Sequence, residues 1–223
     1  MNQINVVISG FGPYADLEVN PSYEVPSALE SAENLAKMQP SEDICVKVTS
    51  VMLPISFANA WPKLLETIER EQANIVIATG TKHTARGVQL ERCATNVIDA
   101  KKPDVDNSRP QKMPIVEDGP AAYWTRLPLR MILQRFAHDS IASNLSSDAG
   151  TYVCNSLFYQ LLHWAAKDNK RVLAGFVSFP PVVSLHDARN GLPLKQQIEA
   201  GQDIVREAVR YYMQPSAEGM LLK

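Results

Sequence analysis

Asn74-Ile75-Val76-Ile77-Ala78-Thr79-Gly80 is the stretch on which the fold turns. Its apolar residues are continuous, β-branched for the most part, and stop at a glycine. An unalternating run of this kind is a strand buried on both faces, which occurs in a parallel sheet covered by helices on either side. The carboxyl end of such a strand is where α/β proteins build their sites. Upstream, 5–9 is a similar run that ends in the turn Gly10-Phe11-Gly12-Pro13. Residues 44–53 alternate, with Ile44, Val46 and Val48 on one face. Asn20-Pro21-Ser22 supplies a capping side chain followed by proline at the first helical position, which predicts a helix over 23–36. Phe57, Trp61, Leu64, Leu65 and Ile68 fall near helical spacing and predict a second over 57–71. Downstream the pattern predicts strands over 89–97, 141–145 and 172–179, and helices over 121–137, 151–166 and 194–212. A polar, proline-containing connection from Lys102 to Pro120 is long enough to be functional or mobile. Alternating strands and helices give an α/β/α three-layer sandwich on a mostly parallel, twisted sheet. With neither an internal repeat nor a break in composition, residues 1–223 are expected to form a single domain.

Composition narrows the function. The chain has 22 Lys and Arg against 24 Asp and Glu, a formal net charge of −2, and no block of like charge, so nucleic-acid binding is disfavoured. No apolar run approaches the ~18 residues of a membrane span. The amino terminus lacks a basic leader and reads as a first strand, not a signal peptide. Cys45, Cys93 and Cys154 are an odd set with no CxxC pair, which suits a reducing compartment and describes neither a disulfide framework nor a zinc site. The expected location is the cytoplasm, with no nucleic-acid or membrane partner.

Gly10-Phe11-Gly12-Pro13-Tyr14-Ala15 fits a dinucleotide fingerprint only superficially. In that fingerprint the glycine turn opens directly into a helix whose amides hold pyrophosphate, whereas here Pro13 removes an amide and the best cap lies at Asn20. Cys154 is more informative. Ala149-Gly150-Thr151-Tyr152-Val153-Cys154 opens a helix with apolar Leu157, Phe158, Leu161 and Leu162, so the sulfur stands in the first turn. Helix-start amides favour a thiolate, lower its pKa and can hold an oxyanion, which is how a nucleophilic cysteine is built. The plainer alternative is a small buried hydrophobe. Of the four histidines, His138 and His163 lie in helical patterns, while His83 and His186 occupy loop ends where α/β sites form. Glu91 has apolar neighbours: it is either buried and paired with Arg92 or orients a catalytic group. Cys93, two residues on in a strand, would share its face.

Four blocks, in order, give the chain an end-to-end resemblance to the pyroglutamyl peptidase I (pyrrolidone-carboxylate peptidase) family. They are Ser9 to Tyr14 with Asn20-Pro21-Ser22, Leu90-Glu91-Arg92-Cys93-Ala94-Thr95-Asn96 with Asp99-Ala100, Gly119 to Thr125 with Leu127-Pro128, and Ala149 to Asn155. The resemblance implies a cytosolic cysteine peptidase that removes an N-terminal pyroglutamyl residue, needs no cofactor, and assembles as a tetramer or dimer. It places Cys154 at the nucleophile and Glu91 at the catalytic carboxylate. Phe11, Tyr14 and Tyr152 fall where aromatics enclose the lactam ring, Asn20 falls in the substrate-binding set, and Thr81 falls where backbone bonds the lactam amide.

The departures are as specific as the matches. Where the family pattern G-F-[IV]-H-[IVL]-P carries its catalytic histidine, this chain reads Gly175-Phe176-Val177-Ser178-Phe179-Pro180. Ser178 cannot hold an imidazolium beside a thiolate. His186 and then His83 are the candidates for a substitute base, with a water on Ser178 as a third. Lys101 stands in place of an arginine near the oxyanion, and Asp16 and Lys82 add charge at the mouth. Two functions are therefore expected to compete: a cysteine hydrolase of pyroglutamyl amides, and an impaired relative that binds a pyroglutamyl or lactam-like ligand without cleaving it. A phosphorylase-like enzyme is a third reading, resting on fold analogy alone.

Overall fold

β1 (Asn2–Phe11) is buried from Val6 to Phe11 and pairs in parallel with β2 (Ile44–Leu53) along its whole length and with β3 (Ile75–Thr81) on its other side. β3 is the 74–80 run of the sequence, and it is buried at every position from Ile75 to Gly80. β8 (Leu173–Phe179) continues the parallel set beside β3. β4 (Val88–Glu91) then runs antiparallel to β8, and β7 (Ser143–Ser146) lies parallel to β4. The six-stranded sheet thus has the order β2-β1-β3-β8-β4-β7. The computed structural model describes residues 2–12, 19–167, 171–183, 191–216 and 219.

Helices cover both faces, as the sequence predicts. α1 (Pro21–Leu29), α2 (Ala32–Met38), α4 (Leu129–His138) and α6 (Leu194–Met213) bury Val25, Met38, Phe136 and Ile204 against Ile75, Ile77, Val177 and Phe179. α3 (Ala60–Glu71) and α5 (Val153–Lys167) bury Leu64, Phe158 and Leu161 against Val76, Ala78, Ala174 and Phe176. Residues of one strand separated by two face the same way, so β3 and β8 send alternate side chains to the two cores. On the α5 side, that alternation leads next to Gly80 and Ser178. Among the described residues no helix is long and apolar enough to cross a membrane.

Three expected elements are corrected. The helix expected over 23–36 starts earlier, because the Asn20 side chain accepts from the Ser22 amide, and it breaks in two, because Ser31 caps a new helix by accepting from the Asn34 amide. The strand expected over 89–97 divides at Arg92: β5 (Cys93–Thr95) leaves the main sheet and pairs antiparallel with β6 (Ala122–Trp124). Cys93 therefore does not share a strand face with Glu91, and its sulfur turns toward the Ser147 carbonyl. The helix expected over 121–137 begins only at Leu129, directly after Pro128. The residue before a proline is held out of helical geometry, so the helix cannot extend back through Leu127.

Candidate active site

In this sheet order the chain moves outward from β1 to β2, then returns to place β3 on the other side of β1. Ligands of open α/β sheets bind at the carboxyl ends of strands where the order reverses. Phe11 at the end of β1 and Thr81 at the end of β3 both line a cavity of about 200 Å³ there. Asn20 ties its walls together. The Asn20 amide nitrogen donates to the carbonyls of Phe11 (3.0 Å) and Gly12 (2.9 Å). Its oxygen accepts from the Ser22 amide, the Ser22 hydroxyl and the Thr81 hydroxyl, the last at 2.7 Å. With both ends of the amide occupied by protein, Asn20 shapes the cavity and offers a ligand little of its own.

The opposite wall is the start of α5. Gly150 adopts a φ of +79°, a backbone region that favours glycine, and Asp148 accepts from its amide at 2.8 Å. Thr151 donates to the Asp99 carbonyl at 3.0 Å. Asn155, buried, accepts from the Thr95 amide and donates to the carbonyls of Thr95 and Val97 at 2.9 and 3.1 Å. These bonds seat the first turn of α5 against β5 and present Cys154, its second residue, to the cavity. The sulfur packs on bare backbone: a Cβ at Gly80 would lie 3.0 Å from Cys154 Sγ and 2.9 Å from Phe176 Cζ. Burial and the charge of Glu91 push the thiol up to about 12, and the helix-start hydrogen bonding lowers it too little to compensate. This reverses the expected depressed thiol. A helix terminus contributes ~0.3–2 kcal/mol, whereas burying a charge costs several.

Ser178 is the in-register neighbour of Gly80 on β8, about 4.8 Å away across the sheet and on the same face. Its hydroxyl donates to Glu91 Oε1 at 2.7 Å, and both residues are buried. The other carboxylate oxygen, Oε2, is buried without a hydrogen bond among the described residues. Burial raises the Glu91 pKa, opposed by the nearby hydroxyls of Ser146 and Ser178 and by the charge of Lys82. Lys82 itself donates to the Asp148 carbonyl at 2.9 Å. Of the two readings open for Glu91, burial holds, but its bonded partner is Ser178.

Tyr152 lines the cavity, donates its hydroxyl to the Pro103 carbonyl at 2.9 Å and meets Phe57 edge-on at 5.2 Å. His83 lines the same cavity. Lys101 is exposed and outside the lining; its neighbour Lys102 lines the cavity instead, with its ammonium 5.7 Å from the Tyr152 ring centroid. Tyr14, Asp16 and His186 lie outside the described residues. His138 pairs with Asp139 at the end of α4, and His163 contacts the Tyr123 hydroxyl at 2.8 Å, held low by burial. Sequence reasoning missed the anchoring role of Asn155, although it directly follows the cysteine, and the wall supplied by Ile55 and Lys102, which no local pattern marks. Among the described residues no group of three His, Cys, Asp or Glu side chains is arranged to hold a metal ion.

Comparison with known proteins identifies the family. The family model described as pyroglutamyl peptidase matches residues 4–210. A pyrrolidone-carboxylate peptidase of Bacillus cytotoxicus is 34% identical over 208 residues, covering 92% of this chain and 93% of that protein. One from Bacillus mycoides is 33% identical, covering 90% and 95%. The crystal structure of pyroglutamyl peptidase I from Bacillus amyloliquefaciens superposes with a TM-score of 0.84 at 29% identity, over 95% of this chain and 97% of that one. Pyrrolidone carboxyl peptidase from Thermococcus litoralis does so with a TM-score of 0.82 at 27% identity, over 96% and 97%. The chain belongs to the pyroglutamyl peptidase family.

Proposed function

We propose that the protein is a single-domain cysteine peptidase that cleaves the amide after an N-terminal pyroglutamyl residue, with a Cys154–Ser178–Glu91 proton path in place of a thiolate–imidazolium pair. The observation that carries the reading is the single cavity in which Cys154, Tyr152, Phe11 and Thr81 converge. The aromatic walls suit a flat lactam ring. Cys154 Sγ bonds to the scissile carbonyl carbon, and the amides of the first turn of α5 take the developing oxyanion. The thiol proton passes to Ser178 Oγ, directly or through one water, as the Ser178 proton passes to Glu91 Oε1. Its return along the same path to the departing amine breaks the C–N bond, and water then hydrolyses the thioester. The protein acts in the cytoplasm as a homo-oligomer, tetramer or dimer.

A second reading follows from the serine itself. A thiol with a pKa of about 12 beside a hydroxyl is a poor nucleophile at pH 7, which favours a protein that binds pyroglutamyl ends and releases them uncleaved. Release of a fluorescent amine from a pyroglutamyl anilide separates the two. Turnover by the native protein that vanishes in Cys154→Ala supports the peptidase. Binding of pyroglutamyl amide without any turnover, with turnover appearing in Ser178→His, supports the binding protein.

A further inference from the structure

Glu91 is a buried carboxylate short of partners. Ser178 donates one hydrogen bond to Oε1, while Oε2 is buried without a hydrogen bond among the described residues. A carboxylate so enclosed takes up a proton unless positive charge lies close to it, and a protonated Glu91 cannot receive one from Ser178. The strand position where the family pattern carries a histidine supplies no charge in this chain, because it holds the neutral Ser178. The ionised form of Glu91 needs a cation from elsewhere in the fold.

Lys82 is built into that place. It follows β3, and its amide donates at 2.9 Å to the carbonyl of Phe179, the residue after Ser178. Its own carbonyl accepts from the Ala85 amide at 2.9 Å, which closes a turn. From there the ammonium reaches the Asp148 carbonyl, 2.9 Å away and beyond the end of β7. β4 lies between β8 and β7 in the sheet, so a side chain rooted beside β8 and bonded past β7 crosses β4, the strand that carries Glu91. The Asp148 carbonyl also accepts from the Ser146 hydroxyl at 3.4 Å, and Ser146 is the in-register neighbour of Glu91 on β7. Lys82 and Ser146 therefore meet at one oxygen, a single strand away from Glu91.

The other titratable and charged groups around Glu91 do not fill this role. Asp148 is an anion and opposes its ionisation, and the Cys154 thiol is neutral. Arg92, next in the chain, sends its guanidinium to the hydroxyl of exposed Ser147. His83 faces the Cys154 cavity. The positive charge that acts on the Glu91 carboxylate is that of Lys82.

We propose that Lys82 is a positioning residue for the reaction: its ammonium holds Glu91 as the carboxylate that receives the Ser178 proton, and so supplies the positive charge that a histidine at position 178 would bring. The proposal rests on the Cys154–Ser178–Glu91 proton path. Lys82 touches no reacting atom and gives up no proton, so the bonds made and broken are those of that path.

Two variants separate charge from loop anchoring. Lys82→Gln keeps a donor for the Asp148 carbonyl and removes the charge, whereas Lys82→Arg keeps both. In the full-length chain, isotopically labelled at the glutamate carboxyl carbon, the Glu91 resonance is the one absent from Glu91→Gln. Its titration midpoint is expected to rise by about one pH unit in Lys82→Gln and to stay within roughly 0.3 unit of the native value in Lys82→Arg, the effect of one charge acting through an intermediate dielectric. The acid limb of kcat/KM for a pyroglutamyl anilide should move upward with it, a loss of about tenfold on the acid side that disappears above the limb. A midpoint unmoved in Lys82→Gln, or moved equally in Lys82→Arg, overturns the proposal, as does an acid limb that stays in place while the midpoint moves. Absence of turnover in the native chain overturns the proposed peptidase instead, and the midpoint then decides by itself whether Lys82 holds the charge of Glu91.

Discussion

Ser178 Oγ donates to Glu91 Oε1 across 2.7 Å, at the strand position facing the bare backbone of Gly80 on which the Cys154 sulfur rests. The hydroxyl proton is committed to the carboxylate, so the serine has lone pairs, not a proton, to turn toward the thiol. Ser178→Ala should therefore lower pyroglutamyl anilide turnover by about tenfold or more, and Ser178→His should raise it by roughly 10² to 10⁴, the range of a positioned general base. Unchanged kcat in Ser178→Ala would remove the serine from the proton path.

Glu91 has opposite effects on two measurable properties of the thiol. Its charge raises the Cys154 pKa, yet in the proposed mechanism it receives the proton. Glu91→Gln should speed iodoacetamide modification of Cys154 at pH 8, about tenfold for each unit by which the pKa falls, while slowing turnover. Alkylation and turnover moving in the same direction would show that the carboxylate acts only on the charge of the sulfur.

A thiol pKa of about 12 in the folded chain, against an ordinary value of 9.0, fixes the sign of two pH dependences. Below 12 the thiolate fraction grows with pH, so Cys154 alkylation should keep accelerating through pH 10 without a plateau. Stability runs the other way. The folded state holds the thiol proton more tightly than the unfolded state, so the contribution is intact below 9.0 and is lost as pH rises toward 12. Comparing urea midpoints at pH 8 and pH 10, the native protein should lose more stability than Cys154→Ala.

Gly80→Ala inserts a methyl group 2.9 Å from Phe176 Cζ and 3.0 Å from Cys154 Sγ. Phe176 is buried against Phe158, with ring centroids 5.5 Å apart, so the sulfur is the freer partner to move. Overpacking of this kind costs about 1–3 kcal/mol, and a displacement of the reacting atom toward 1 Å costs about 10² in rate. Thermal melting should fall by a few degrees while kcat/KM falls far more; an undiminished kcat/KM would show that the sulfur's seat on Gly80 is irrelevant to function.

Asn155→Ala removes three bonds between α5 and the segment around β5. At about 1 kcal/mol each, with buried backbone groups left unpaired, the loss should be about 2–4 kcal/mol. Denaturant unfolding of the variant checks this directly.

The order of strands and helices was legible because burial on one or both faces imprints its period locally: 74–80 announces a covered strand, and Asn20-Pro21 announces a helix start. Pro128 was equally visible, and its effect on the residue before it accounts for the late start of α4. Cys154 at the head of a helix was likewise written in its neighbours. The division at Arg92 was not, because β5 is drawn away by β6, a partner nearly thirty residues distant in the chain. Nor was the state of the thiol, since desolvation depends on what Phe176, Gly80 and Glu91 bring around the sulfur from other strands. Ser178 and Glu91 lie 87 positions apart, and only the sheet makes them neighbours. Local pattern thus marks most of the strands and helices and shows that Cys154 heads α5, while the groups gathered around its sulfur come from strands distant in the chain, because electrostatic interactions in a low-dielectric interior follow distance through space and not separation along the chain.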